Sequence, residues 1–255
     1  MNKVIEIKGI KLGEGMPKIC APLVSDTEEK LLEEAKEISK VNEVDLVEWR
    51  VDYYRDVYNI EKVKNILKEM VLILKDKPIL FTFRTKKEGG EREISNEDYI
   101  KLNNEMIRGK LIDLIDVELS IGKESSEKIL KEAKDNNIKV IMSNHDFDKT
   151  PQKEEIVKRL ENMILLGADI AKIAVMPKSE KDVLTLLSAT DEVKNRYKGH
   201  PIITMSMGGT GLISRISGEI FGSVLTFGSV KKVSAPGQIP VKKLHEMLEV
   251  IHSYK

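Results

Sequence analysis

The chain is poor in the residues that most directly betray a function. It holds one cysteine in 255 residues, so an intrachain disulfide is excluded and a cysteine-based metal cluster has no ligands. Cys20 lies in the apolar run KICAPLV and is expected to fill a small core position on the first strand. Four histidines are present, none in an HxH or HExxH pair, and no metal is expected. No GxSxG elbow marks a serine hydrolase, and no GxGxxG turn follows the first strand. Lys plus Arg and Asp plus Glu balance at 42 each, leaving no basic excess for nucleic acid or a membrane surface. No apolar run approaches the roughly 20 residues needed to cross a bilayer. The opening MNKVIEIKGIKLGEG alternates apolar and polar residues and lacks the apolar centre of a signal peptide. A soluble, cytoplasmic protein is expected.

What is present is a repeated theme. Short apolar runs stand at 18–24, 44–51, 78–84, 114–119, 139–145, 169–175, 201–207 and 223–229. Between them lie charged segments such as TEEKLLEEAKEISK and QKEEIVKRLENMILLG, with apolar residues at helical spacing. Strands buried on both faces and alternating with helices imply a parallel sheet. Eight such units in one chain of this length predict a single (β/α)8 TIM barrel spanning 1–255, with an open doubly wound sheet as the competing arrangement. The 1–13 segment has the alternation and glycines of a β-hairpin, expected to cover one end of the barrel.

In such barrels the site forms at the C-terminal ends of the strands. Glu48 and Arg50 share one face of the second strand, and Arg84 ends the third, followed by Glu88. Asp116 and Glu118 share a face of the fourth and are expected only to balance the arginines. His145 ends the fifth strand, Met205 and Met207 lie on the seventh, and Ser234 and Gln238 follow the eighth. Lys172 is the anomaly, a lysine inside GADIAKIAVMP. Either it snorkels from a strand end, or it is buried and must be paired or give up its proton. A neutral lysine beside a histidine suggests carbonyl chemistry through a Schiff base, with His145 moving protons. GGTG at 208–211 could cradle a phosphate, though glycines alone are weak grounds.

The segments EWRVD, FTFRTKKEGG, SNHDF, AKIAVMP, TMSMGGTGLISRISGEIFGSVLTFG and SAPGQIP, in this order and spacing, resemble the type I 3-dehydroquinate dehydratases over nearly the whole chain. That resemblance implies a (β/α)8 barrel, generally a homodimer, acting on 3-dehydroquinate in the shikimate pathway without metal or organic cofactor. It implies that Lys172 forms an imine with the substrate ketone, that His145 is general base and acid, and that Glu88 orients His145. It assigns Arg215 to the substrate carboxylate, and Glu48, Arg50, Arg84, Ser234 and Gln238 to the ring hydroxyls and pocket shape. Met205, Met207 and Phe227 would be apolar walls, and residues 228–238 a loop closing over substrate. Two other readings stay open: a class I aldolase-like barrel, which would favour a phosphate site at GGTG, and a non-catalytic barrel binding a small acid.

Overall fold

A computed structural model describes residues 4–231 and 233–255; the first three residues of the N-terminal segment and Lys232 of the 228–238 loop lie outside the described residues. The chain opens with a hairpin of β1 (Ile5–Ile7) and β2 (Ile10–Leu12). Strand and helix then alternate as β3 (Lys18–Leu23), α1 (Glu28–Ile38), β4 (Leu46–Arg50), α2 (Ile60–Leu74), β5 (Ile79–Thr82) and α3 (Asn96–Gly109). They continue as β6 (Leu114–Glu118), α4 (Lys123–Asp135), β7 (Lys139–Asp146), α5 (Lys153–Leu166), β8 (Ile170–Val175), α6 (Glu180–Arg196) and β9 (Ile202–Ser206). The seventh connection holds two short helices, α7 (Leu212–Ile216) and α8 (Gly218–Phe221), before β10 (Leu225–Ser229), β11 (Ile239–Pro240) and α9 (Val241–Ser253).

Strands β3 to β9 pair in sequence order, all parallel, and β10 pairs with β3. The ring closes where Ile202 bridges Ser223 and the Val224 N–H donates to Ile202 O at 2.9 Å. This is the expected (β/α)8 barrel rather than an open sheet. Higher on β10, β11 pairs in parallel, so the segment after β10 returns to the barrel wall at Ile239.

Local chemistry sets the element boundaries. The Asn59 side chain accepts the Lys62 N–H at the start of α2, Ser95 accepts the Asp98 N–H at α3, and the Ser179 N–H donates to the Asp182 carboxylate at α6. A second device recurs at the lower ends of the strands. Asp45, Asp113 and Asp169 immediately precede β4, β6 and β8, and each carboxylate accepts a backbone N–H from the preceding strand: Ile19 at 2.7 Å, Ile79 at 2.8 Å and Val140 at 3.0 Å. The strands are thus stapled two by two.

The barrel interior has two levels. Cys20, Leu46, Leu80, Leu114, Ile141, Ile170, Ile203 and Leu225 form the lower one, and Ile5, Ile7 and Leu12 of the hairpin plug it from below. The hairpin therefore covers the N-terminal end of the barrel. Its two-residue turn, Lys8–Gly9, places both residues at positive φ, the conformation that suits the twist of a tight hairpin. Lys8 ion-pairs with Asp113 at 2.8 Å, tying the plug to a staple. The upper level is polar, and it positions the site.

Leu12→Ala should cost roughly 2–5 kcal/mol of stability, because it opens a void in the plug. Urea denaturation measures the loss, and turnover should change little, since Leu12 lies at the opposite end from the polar level. A loss well under 1 kcal/mol would show that the hairpin does not seal the barrel.

Candidate active site

Above the aliphatic floor, one register step up each strand, the inward positions become charged or hydroxylic. These are Glu48 on β4, Thr82 on β5, Asp116 on β6, Ser143 on β7 and Lys172 on β8, all buried. Lys172 is the third residue of β8, 3% exposed, so it is neither at a strand tip nor snorkelling. Its nearest charged neighbours are carboxylates: Asp116 Oδ2 at 3.3 Å and Glu48 Oε1 at 3.8 Å. The Phe227 ring faces Nζ with its centroid 4.6 Å away. Of the two ways to bury a lysine, the structure supplies pairing.

Asp116 is the hub of this level. One of its oxygens accepts from Arg84 Nη2 at 2.8 Å and Ser143 Oγ at 2.6 Å, and the other accepts from Lys172. Burial opposes its charge, but the Arg84 and Lys172 cations more than offset burial and hold its carboxyl well below the usual range. Arg84 Nη1 also donates to Glu118 at 2.7 Å and to Ser143 at 3.0 Å. Asp116 and Glu118 thus do balance an arginine, as expected, but Asp116 in addition holds the lysine.

His145 stands at the mouth, on the same inward register as Ser143. Glu88 Oε2 receives the His145 backbone N–H at 2.9 Å and lies 3.0 Å from Nδ1, so the ring is gripped through both backbone and side chain. With Nδ1 against Glu88, Nε2 is the ring nitrogen left for other contacts. Burial, then the Arg84 and Lys172 cations, push the imidazole well below its ordinary range, so the ring is neutral at pH 7. Burial pushes the Glu88 carboxyl up, against the lowering effect of Arg84. Glu88 is carried by a 3-10 turn, Lys86–Glu88, in a loop whose two glycines are both required. A Cβ on Gly90 would meet Arg84 O at 2.0 Å, and one on Gly89 would meet the Phe147 ring.

Arg215 on α7 approaches from the other side of the mouth. It is 1% exposed, its Nη2 donates to Pro236 O at 2.8 Å, and its Nε has no hydrogen-bond partner among the described residues. No carboxylate among the described residues pairs with it, and burial alone lowers its pKa to about 10. The loop after β10 lies over the same mouth. Gln238 accepts the Ser234 N–H at 2.8 Å and donates to Ser234 Oγ at 3.0 Å, and Gly208 N–H donates to Pro236 O at 3.2 Å. A Cβ on Gly237 would meet Gly208 O at 2.4 Å, and one on Gly211 would meet Ser206 O at 2.2 Å. Within GGTG, Gly211 is therefore required by backbone contact, and the Gly208 N–H is committed to Pro236 O.

These groups line one cavity open at the mouth, walled by Glu48, Arg50, Arg84, Glu88, His145, Lys172, Met205, Met207, Arg215, Phe227, Ser234 and Gln238. Every site residue singled out in the sequence reaches this one cavity, with Phe147, Ala174 and Ala235 as further walls. The residues that sequence reasoning missed lie just behind it. Asp116 was seen but given no contact with the lysine, and Asp52, within EWRVD, was not singled out. A paired amine, a neutral histidine and an uncompensated guanidinium in one cavity suit a ketone that also carries an acid group.

Comparison with known proteins follows the same line. The family model for type I 3-dehydroquinase matches residues 19–255. Relatives named 3-dehydroquinate dehydratase, from Clostridium botulinum and Clostridium novyi, are each 56% identical, over 99% and 98% of this chain and 99% of each relative. The crystal structure of a type I 3-dehydroquinate dehydratase from Clostridium difficile, with covalently modified comenic acid, is 51% identical, covers 100% of both chains and has a TM-score of 0.97.

The neutral, part-buried His145 carries a pH signature. In the unfolded chain it takes a proton below about pH 6.5, which the folded site refuses, so its contribution to stability is lost as pH falls through that value. Urea unfolding at pH 7.5 and pH 5.5 should show a smaller loss in His145→Asn than in the wild type. An equal loss in both would mean that the ring is not held neutral.

Proposed function

The chain belongs to the type I 3-dehydroquinase family and is a lyase of the shikimate pathway of aromatic biosynthesis, and we propose that it dehydrates 3-dehydroquinate through an imine on Lys172. The observation that carries this reading is the coexistence of Lys172 and Arg215 in one cavity, an amine for the ketone and a guanidinium without a carboxylate partner among the described residues for the substrate carboxylate. The covalently modified comenic acid in the Clostridium difficile relative fits a site that couples acid recognition to covalent chemistry.

In the proposed sequence the Lys172 ammonium lends one proton to His145, the freed amine adds to the ketone carbon, and the carbinolamine takes that proton back on its hydroxyl and expels water to give an iminium. The iminium withdraws electrons from the adjacent C–H. His145 Nε2 takes that proton, and the same proton returns to the β-hydroxyl as the C–O bond breaks, releasing water and forming the ring double bond. Hydrolysis of the iminium frees the enone and restores the amine. Water is consumed once and released twice, for a net loss of one. Asp116 stabilises the cation at nitrogen before and after condensation, because the positive charge stays at one place while the bonding changes. Bidentate recognition by Arg215 would orient the ring, and Glu48, Arg50, Arg84, Ser234 and Gln238 would meet its hydroxyls while Met205, Met207 and Phe227 pack its apolar edges.

A class I aldolase-like site would also use the lysine, but a phosphate at GGTG would need the Gly208 N–H, which is committed to Pro236. A homodimer belongs to the same reading, and light scattering should return twice the chain mass.

Borohydride added with 3-dehydroquinate should inactivate the protein and leave the reduced adduct on Lys172, read by peptide mass spectrometry. His145→Ala should lower kcat by about 10²–10⁴-fold while still allowing the adduct to form. An adduct elsewhere, or none, would sink the imine.

A further inference from the structure

Behind the cavity wall lies a carboxylate that the reaction itself does not use. Asp52 is 0% exposed and lies in the turn that follows β4. Its two oxygens accept from Arg50 Nε and Nη2, both at 2.8 Å, in a bidentate pair. The same oxygens accept the backbone N–H of Arg84 at 3.3 Å and of Glu91 at 3.1 Å, and the Asp52 carbonyl accepts from Arg92 Nε at 3.1 Å. The residues so tied bracket the loop that carries Glu88, the residue gripping His145.

The pairing decides what Arg50 can offer the cavity. With Nε and Nη2 committed to Asp52, Nη1 is the atom left to face inward, and it reaches toward Ser234 O at 3.5 Å on the loop over the mouth. The Tyr53 ring holds the guanidinium from one side, with its centroid 5.0 Å away. Burial works against the charge on Arg50, but Asp52 more than offsets it and keeps the guanidinium charged.

We propose that Asp52 is a positioning residue for substrate binding: it aims Arg50 Nη1 at the ring hydroxyls and fixes that arm to the Glu88 loop, so the binding and proton-transfer sides of the cavity keep one geometry. This rests on the dehydratase reading above and deepens it. Arg50 contacts that are the same in ground and transition states affect KM more than kcat, so an error in its aim has a kinetic signature that loss of stability lacks.

The test is a double-mutant cycle on the full chain with 3-dehydroquinate. Asp52→Asn keeps the shape but turns a donor toward the Arg50 fork, and should raise KM by about tenfold or more while kcat stays within about threefold. Arg50→Gln should raise KM comparably, and Asp52→Asn added to Arg50→Gln should raise it little further. The double variant leaves no buried charge unpaired at this position, so it also serves where Asp52→Asn alone fails to fold. In that case, a further rise in KM on adding Asp52→Asn to Arg50→Gln, as large as that of Arg50→Gln itself, overturns the proposal. A lowered melting temperature with unchanged KM in Asp52→Asn also overturns it. Borohydride trapping of the wild type is run alongside: failure there overturns the imine reading beneath it, whereas normal trapping with an unmoved KM overturns the role of Asp52 alone.

Discussion

The ion pairing of Arg84 is the constraint around which the interior is arranged. Its guanidinium joins Asp116 and Glu118 of β6 to Ser143 of β7, and through Asp116 it reaches Lys172 on β8. Breaking such a buried pair strands a charge and costs about 3–5 kcal/mol, so each member fixes the others. A charged layer in a barrel is costly to bury, and here it rests on an aliphatic floor closed from below by the hairpin. The sealed floor keeps water from reaching the pairs from beneath and leaves the mouth as the side where chemistry meets solvent.

Above that layer the charges are deliberately uneven. Arg84, Arg50 and Lys172 each meet carboxylates, while Arg215 meets a carbonyl and the sulfur of Met205. Of the three guanidinium groups that line the cavity, Arg215 is the one that no carboxylate among the described residues answers. Because Arg215 donates to Pro236, it and the loop over the mouth are held together.

Much of this was legible in the sequence, for identifiable reasons. Strand and helix order followed from periodicity, spacing of two along a strand put Glu48 with Arg50 on one face, and Lys172 stood out as a lysine inside an apolar run. Partners across strands were harder. Asp116 touches Lys172, fifty-six positions away, only because β6, β7 and β8 align Asp116 with Ile141, Ile141 with Ile170, and Ser143 with Lys172. No local pattern encodes that register. Asp52 stood in a quoted motif without being singled out, since beyond its neighbour Arg50 its donors are the N–H groups of Arg84 and Glu91, some thirty to forty positions later. The Asp-Leu, Asp-Leu and Asp-Ile steps at 45, 113 and 169 were readable as a repeat, but their meaning needs the neighbouring strand.

Those aspartates give the barrel a grain. β3 is stapled to β4, β5 to β6 and β7 to β8, so six of the eight staves are grouped as doublets. A chain break in the connection from β4 to β5 or from β6 to β7 leaves each staple within one fragment, whereas a break between β3 and β4 splits one. Split or circularly permuted versions of the protein should reassemble along the first kind of cut and resist the second, which makes the doublet the natural unit in which to take this barrel apart.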